Sequence, residues 1–280
     1  MVLEDLFRPE WIARRPYISF FFGFIFSFAG FLVAWLFFRT TMSVSMVFLT
    51  TLLLTPTLIV LIKREEVIEG KYGARHFLTN HKAIFETYIF AFLGVFVAYV
   101  ILGLASYGTD LYSQMFDFQL RFLKFQGVDS SSLDAFMASD GYGLSHFLSL
   151  LTHNLLVLIV CFVLALVYGA SAIFLIILNG SVFANFIVFM IKRLGTDSLH
   201  GLQAFGFFLI HLIPEVSGFL VAAIAGGVVS KAVMMEKRSS QRFRNVFKDA
   251  FILVLIAVGL IILGALLETF VSSALFRSSF

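Results

Sequence analysis

The sequence predicts an all-α, polytopic helical membrane protein, and three observations predict it. Hydrophobic residues make up 60% of the 280 residues, charged residues make up 13%, and the mean hydropathy is +0.98. Soluble domains carry far more charge, and several uncharged runs here are long enough to cross a hydrocarbon layer. The basic residues lie in short segments between these runs, so the net charge of +3 does not indicate a nucleic-acid partner. We therefore expect residues 1–280 to form a single transmembrane domain, multi-pass in the cytoplasmic membrane and in contact with its lipids.

Five runs of low charge predict full crossings: residues 17–38, 42–62, 83–104, 144–191 and 251–271. The second run has Pro56 in its interior, which predicts a kink, because proline cannot donate a helix hydrogen bond. The fourth run holds 48 residues without Asp, Glu, Lys or Arg, which is too long for one straight crossing. We expect it to break at Asn179-Gly180, a dipeptide typical of turns.

Residues 199–230 form another apolar segment, with only His200, His211 and Glu215 as titratable residues. Pro214 divides the segment into two pieces of roughly 15 residues each, and such short pieces predict a re-entrant hairpin or two short tilted spans. The expected fold thus has five full spans plus this re-entrant or kinked helix pair, up to seven membrane segments in total.

The distribution of basic residues predicts the orientation. With the N-terminus in the cytoplasm, sixteen of the 20 Lys and Arg residues lie inside. Four lie outside: Arg39, Arg121, Lys124 and Arg277. Cytoplasmic loops carry an excess of Lys and Arg, so the N-terminus is predicted inside and the C-terminus outside. Residues 63–82 then form a cytoplasmic loop, and residues 105–143 form an extracytoplasmic one.

The extracytoplasmic loop contains an amphipathic pattern. Apolar residues recur at helical spacing: Leu111, Met115, Phe118, Phe122 and Phe125. This spacing predicts a helix on the outer surface, capped by Thr109 or Asp110. The helix is either a cap over the ends of the spans or a docking surface for an extracytoplasmic protein partner.

Small residues at helical spacing form two stripes: Gly23, Ser27, Gly30 and Ala34 on the first span, and Gly218, Ala222, Gly226 and Ser230 near the end of the hairpin segment. Small residues let helix backbones approach closely in lipid. The stripes therefore predict helix packing, either within the fold or in a homo-oligomer.

Glu215 is the main candidate functional residue, with His211 four positions before it. An acid in a membrane segment is costly unless it is protonated, paired or facing a polar cavity. One interpretation is that both residues satisfy backbone groups freed by Pro214. Another is a substrate or ion site of a secondary transporter, since broken helices with polar side chains build such sites near the bilayer midplane.

Two other polar dipeptides, His153-Asn154 and Asn179-Gly180, could approach Glu215. A third interpretation makes His211 and Glu215 ligands of a metal in an intramembrane protease, with His200 or His153 as a further ligand. The chain has no His-Glu-x-x-His motif, and its single cysteine, Cys161, excludes a thiolate cage. We therefore predict no catalytic residues, no metal and no cofactor.

These motifs together resemble the stage II sporulation protein M family. The resemblance covers about residues 145–235: His153-Asn154, the span that ends in Asn179-Gly180, and His211-Leu-Ile-Pro-Glu215 before the small residues 222–227. In that family a His-Gly-x-x-Glu signature opens the small-residue helix. Here Leu212 replaces the glycine, and Pro214 precedes the acid.

The resemblance implies a non-enzymatic scaffold. The sporulation member looks like an organiser of a membrane complex that recruits peptidoglycan-degrading enzymes outside the membrane. The short tail and the lack of other sporulation features point to an archaeal-type or otherwise non-sporulating relative. A scaffold is thus the leading expectation, and a transporter is the alternative. The sequence has no internal repeat, which argues against a transporter.

Overall fold

The computed structural model describes residues 15–72, 77–125, 143–168, 171–194, 198–237 and 239–275. These residues form the following helices: α1 (Ile18–Phe37), α2 (Met42–Tyr72), α3 (Phe77–Ser106), α4 (Asp110–Phe125), α5 (Leu144–Val167), α6 (Ser171–Leu194), α7 (Ser198–Met235) and α8 (Gln241–Leu266). A 3-10 turn, Arg39–Thr41, precedes α2, and a π-helical turn, Leu267–Ser272, continues α8. Within the described ranges there is no β-strand, and seven helical stretches are long and apolar enough to cross a membrane. The predicted all-α, polytopic membrane fold is confirmed.

Helix α7 lies at the centre of the bundle and contains Pro214 in its interior. The segment predicted to be a hairpin or two short spans is one continuous helix, so that prediction is wrong. Proline removes one helix hydrogen bond, but a membrane helix tolerates this loss where neighbouring helices enclose it. Every residue from 218 to 230 is buried, because α7 packs against α5, α6 and α8.

The long uncharged run breaks ahead of the predicted place. Helix α5 ends before Tyr168, whose backbone is extended, and the hydroxyl of Ser171 lies within hydrogen-bond distance of the carbonyls of Leu164 and Tyr168. The predicted break at Asn179-Gly180 is wrong, because both residues lie inside α6.

Gly180 serves helix packing instead of a turn. A Cβ atom at this position would lie 3.4 Å from the side chain of Val95 and 3.6 Å from that of Phe92, both on α3. Small residues at such contacts let two helices approach in the membrane. A glycine in an apolar run can therefore mark a contact between helices as well as a turn.

The earlier break changes the predicted topology at Lys192 and Arg193. Helices α5 and α6 are each long enough to cross, so the end of α6 lies on the same side as the loop 105–143. The ammonium group of Lys192 is accordingly 5.7 Å from the ring centroid of Tyr107, which lies in that loop. Fourteen of the 20 basic residues still lie on the side of the membrane that carries the N-terminus. The orientation with the N-terminus inside remains favoured.

The small residues of α1 form its buried face: Ser19, Gly23, Ser27, Gly30 and Ala34. A Cβ atom on Gly23 would overlap the carbonyl oxygen of Ala91 on α3, and one on Gly30 would lie 2.7 Å from Thr50 Oγ1 on α2. This stripe therefore packs α1 onto α2 and α3 of the same chain.

Helix α4 occupies the first part of the predicted extracytoplasmic loop. Its buried side chains are Tyr112, Met115, Phe116 and Gln119, whereas Phe118, expected on the apolar face, is exposed. The buried face is rotated from the predicted one, because Tyr112 and Gln119 donate hydrogen bonds to side chains on α6. Residues 126–142 lie outside the described part of the chain.

The predicted cytoplasmic loop 63–82 is largely helical, since α2 extends to Tyr72 and α3 begins at Phe77.

Candidate functional site

Helices α5, α7 and α8 meet at the carboxyl group of Glu215. The side-chain amide of Asn154 on α5 donates a hydrogen bond of 2.7 Å to Glu215 Oε1. Both residues are only 7% exposed. In a low-dielectric interior a hydrogen bond to a carboxyl group is stronger than in water, and an unpaired acid is costly. The amide of Asn154 thus gives Glu215 a partner inside the bundle.

Gly264 of α8 provides the space in which the Glu215 side chain lies. A Cβ atom at position 264 would overlap Cγ of Glu215 and would lie 3.4 Å from its Cδ and Oε1 atoms. Gly264 was not among the residues predicted for this site. Its only signal was a glycine in an apolar run, and that signal does not tell which neighbour the glycine accommodates.

His211 lies one helical turn before Glu215 and contacts the end of α8. Its Nδ1 atom is 3.0 Å from Ser272 Oγ, and the same hydroxyl donates a hydrogen bond of 3.0 Å to the carbonyl of Phe207. A hydroxyl has one hydrogen, so Ser272 accepts from Nδ1–H of His211. The Nε2 atom then faces Glu268, with 3.8 Å between Nε2 and Oε2.

Glu268 and Ser272, the two residues that face His211, both lie on the π-helical turn Leu267–Ser272 that continues α8. In this turn the backbone N–H of Ser273 bonds to the carbonyl of Glu268, five residues back. π-helical turns are rare and often occur at functional sites, because the wider turn reorients the side chains on it. Glu268, an acid near the end of the last predicted span, was not among the predicted site residues, and its contact with His211 was missed.

The carboxyl groups of Glu215 and Glu268 are close enough to interact electrostatically. Two ionised carboxylates repel each other strongly where the dielectric constant is low. A proton held by one of them, or the imidazolium form of His211, would offset this repulsion. The arrangement can therefore hold helices together, and it has the groups needed to bind a proton.

The other polar residues singled out in the sequence lie elsewhere. Asn154, and not its neighbour His153, supplies the bond to Glu215 Oε1. Asn179 lies within hydrogen-bonding reach of the Cys161 thiol, two turns of α5 away from Asn154. The side chain of His200 is outside the described set. Among the residues whose placement is described, no three His, Cys, Asp or Glu side chains are grouped to hold a metal ion.

The second stripe of small residues lies along α7, where Gly218, Ala222, Gly226 and Ser230 are all buried. A Cβ atom on Gly218 would lie 3.1 Å from the carbonyl oxygen of Ala257 on α8. One on Gly226 would overlap the carbonyl oxygen of Phe162 on α5. The chain's own helices thus cover these glycines, which set the close packing of α7 within the fold.

We call the cluster of Asn154, His211, Glu215 and Glu268 the polar junction. The helices and this junction define a multi-pass, all-α membrane protein whose later crossings are joined by buried polar contacts. The chain belongs to the stage II sporulation protein M family, whose model matches residues 87–273. The matched region contains Asn154, His211, Glu215, Gly264 and Glu268, and α1 and α2 precede it. The predicted family is confirmed. Searches of curated proteins and of solved structures give no significant match.

Proposed function

We propose that the chain is a non-enzymatic scaffold in the cytoplasmic membrane that organises a membrane-associated complex through an extracytoplasmic protein partner. The attachment of α4 to the bundle carries this proposal. Tyr112 Oη donates a 2.7 Å hydrogen bond to Asn185 Oδ1 on α6, and Gln119 Nε2 donates a 3.0 Å bond to Ser181 Oγ. All four side chains are buried, so α4 is anchored at two points.

A third bond ties α4 to α2, because the backbone N–H of Phe118 donates to Ser43 Oγ at 3.2 Å. Burial also raises the pKa of the Tyr112 phenol, whose hydroxyl donates to Asn185. A surface that is already ordered loses less conformational entropy when a partner binds. Anchoring of this kind suits a surface that recruits a second protein.

Residues 126–142 connect α4 to α5, and the sequence places Asp129, Asp134 and Asp140 among them. Helix α4, which is fixed to the bundle, precedes this acidic segment in the sequence, and the membrane helix α5 follows it. We propose that the partner binds the exposed side of α4 together with this segment, within the predicted extracytoplasmic loop 105–143.

The polar junction also favours a scaffold. A carboxylate that binds a transported ion lines a cavity between helices, whereas Glu215 is enclosed and bonded to Asn154. A second candidate function is proton-coupled transport. It is favoured by Glu268, whose side chain is 25% exposed and contacts His211.

Replacement of residues 126–142 by a Gly-Ser linker of equal length tests the scaffold. Helix α4 stays intact, because its buried residues belong to the bundle. Cross-linking in native membranes, followed by mass spectrometry, is expected to identify a partner with the parent chain and to lose it with the replacement. A Gly-Ser replacement of residues 73–76, on the opposite side of the membrane, is the matched control and is expected to keep the partner.

Proton flux in proteoliposomes separates the two candidates. A scaffold is expected to give background flux, with no difference between the parent chain and Glu215→Gln or Glu268→Gln. A flux that either substitution abolishes, together with identical cross-links in the two loop variants, would reject the scaffold in favour of transport.

A further inference from the structure

A groove of about 780 Å³ lies between the beginning of α2 and α4. The 3-10 turn with Arg39 and the first two turns of α2 form one wall, and Ser113, Asp117 and Arg121 of α4 form part of the other. The distribution of basic residues places this groove at the extracytoplasmic surface. None of its residues belongs to the junction around Glu215.

Two guanidinium groups border the groove, each held by its Nε atom. Arg39 Nε donates a 3.2 Å bond to the carbonyl of Trp35, and its guanidinium lies 5.1 Å from the centroid of the Trp35 ring. Arg121 Nε donates a 3.0 Å bond to Asp117 Oδ1. Among the described residues, neither pair of Nη groups has a hydrogen-bond partner, and both arginines line the groove. Guanidinium Nη groups match the oxygens of a phosphate in geometry and charge.

Below the polar part of the groove, α2 presents an apolar stripe. Val44, Phe48 and Leu52 lie four residues apart and are each about half exposed. Val44 and Phe48 also line the groove, so its polar end leads directly onto this stripe. At 1.5 Å per residue the stripe extends about 12 Å along the helix into the hydrocarbon layer.

We propose that this groove binds one phospholipid of the outer leaflet. Its phosphate lies between Arg39 and Arg121, and an acyl chain follows Val44, Phe48 and Leu52. A phospholipid has the same order of chemistry, with an anionic head group above an apolar chain, whereas a soluble phosphate compound would use only the upper half of the site. The bond from Arg121 Nε to Asp117 Oδ1 orients the Arg121 guanidinium.

Native mass spectrometry of the full chain in detergent, titrated with phosphatidylglycerol, tests the proposal. The double variant Arg39→Gln and Arg121→Gln is expected to bind the first lipid about tenfold more weakly, because charge-assisted bonds to the phosphate are lost. The corresponding double lysine variant keeps the charges and is expected to recover part of the affinity. Arg242→Gln is the matched control, since this arginine is also exposed but pairs with Glu236 at the other side of the bundle.

A second measurement separates a lipid from a soluble phosphate compound. In a Trp11→Phe background, Trp35 is the only tryptophan, and its fluorescence reports ligands that reach Arg39. Glycerol 3-phosphate is expected to compete only weakly with the lipid, and Phe48→Ser is expected to weaken lipid binding alone. The proposal is overturned if glycerol 3-phosphate competes as well as the lipid does, or if the double glutamine variant binds lipid like Arg242→Gln.

Discussion

The amide of Asn154 and the carboxyl group of Glu215 join α5 to α7 through a buried hydrogen bond of 2.7 Å. Loss of the amide in Asn154→Ala leaves the acid without this partner. We expect a loss of about 1–3 kcal/mol in the free energy of unfolding, the usual cost of a buried polar group deprived of its bond. Thermal unfolding in detergent measures it.

Thr152→Ala is the matched control on the same helix, because the Thr152 side chain is exposed and bonds only to the carbonyl of Leu148 within α5. We expect a change within about 0.5 kcal/mol. The double variant Asn154→Leu and Glu215→Leu removes both polar groups and is expected to be closer to the parent than Asn154→Ala. Equal stabilities of Asn154→Ala and Thr152→Ala would contradict a stabilising role for the bond.

Gly264→Ala places a methyl group where Cγ of Glu215 lies. The Glu215 side chain must shift from its present position, and overpacking of this kind costs about 1–3 kcal/mol. Gly259→Ala is the control five residues earlier, since its Cβ would have no neighbour within 4 Å. Chemical denaturation of both variants in detergent gives the comparison, and a Gly264→Ala protein as stable as Gly259→Ala would show that Glu215 does not need its present position.

Ser272→Ala removes the hydroxyl that links His211 to the carbonyl of Phe207. We expect a loss of about 1–3 kcal/mol, because the buried Nδ1–H of His211 loses its partner and the half-buried carbonyl of Phe207 loses a donor. The adjacent Ser273→Ala is the control, since that hydroxyl bonds only to the carbonyl of Thr269 within its own turn. Thermal unfolding of the two variants side by side measures the difference, and the interpretation fails if Ser273→Ala is the more damaging.

Tyr112→Phe deprives Asn185 of its donor and loosens α4 from α6. We expect faster amide hydrogen exchange across α4, with exchange in α5 and α7 unchanged, because local opening is governed by local contacts. Tyr107→Phe is the control, because the Tyr107 side chain is exposed beside the same helix. Unchanged exchange in α4 would mean that the Tyr112 bond is not an anchor.

Much of the fold was predictable from the sequence, because a hydrocarbon layer requires long apolar helices and the charges of the connecting segments are easy to locate. The errors concern individual residues. Asn179-Gly180 has the composition of a turn, but Gly180 faces α3 in a helix contact. Pro214 suggested a break, but the neighbours of α7 keep the helix continuous.

The candidate site was predictable only in part, for a physical reason. Glu215, His211 and Asn154 are polar residues in apolar runs, so their cost in lipid identifies them. Gly264 and the facing side of Glu268 are determined by how α8 lies against α7, and one sequence does not contain that information. The rotated face of α4 was missed for the same reason, since Tyr112 and Gln119 are buried because side chains on α6 accept their hydrogen bonds.

The position of Gly264 against Glu215 has a consequence for biogenesis. Helix α8 leaves the ribosome after α5 and α7, so Glu215 can bond to Asn154 before Gly264 packs beside it. Until α8 packs, one flank of Glu215 lacks its protein neighbour, which makes this stage of membrane insertion costly for the acid.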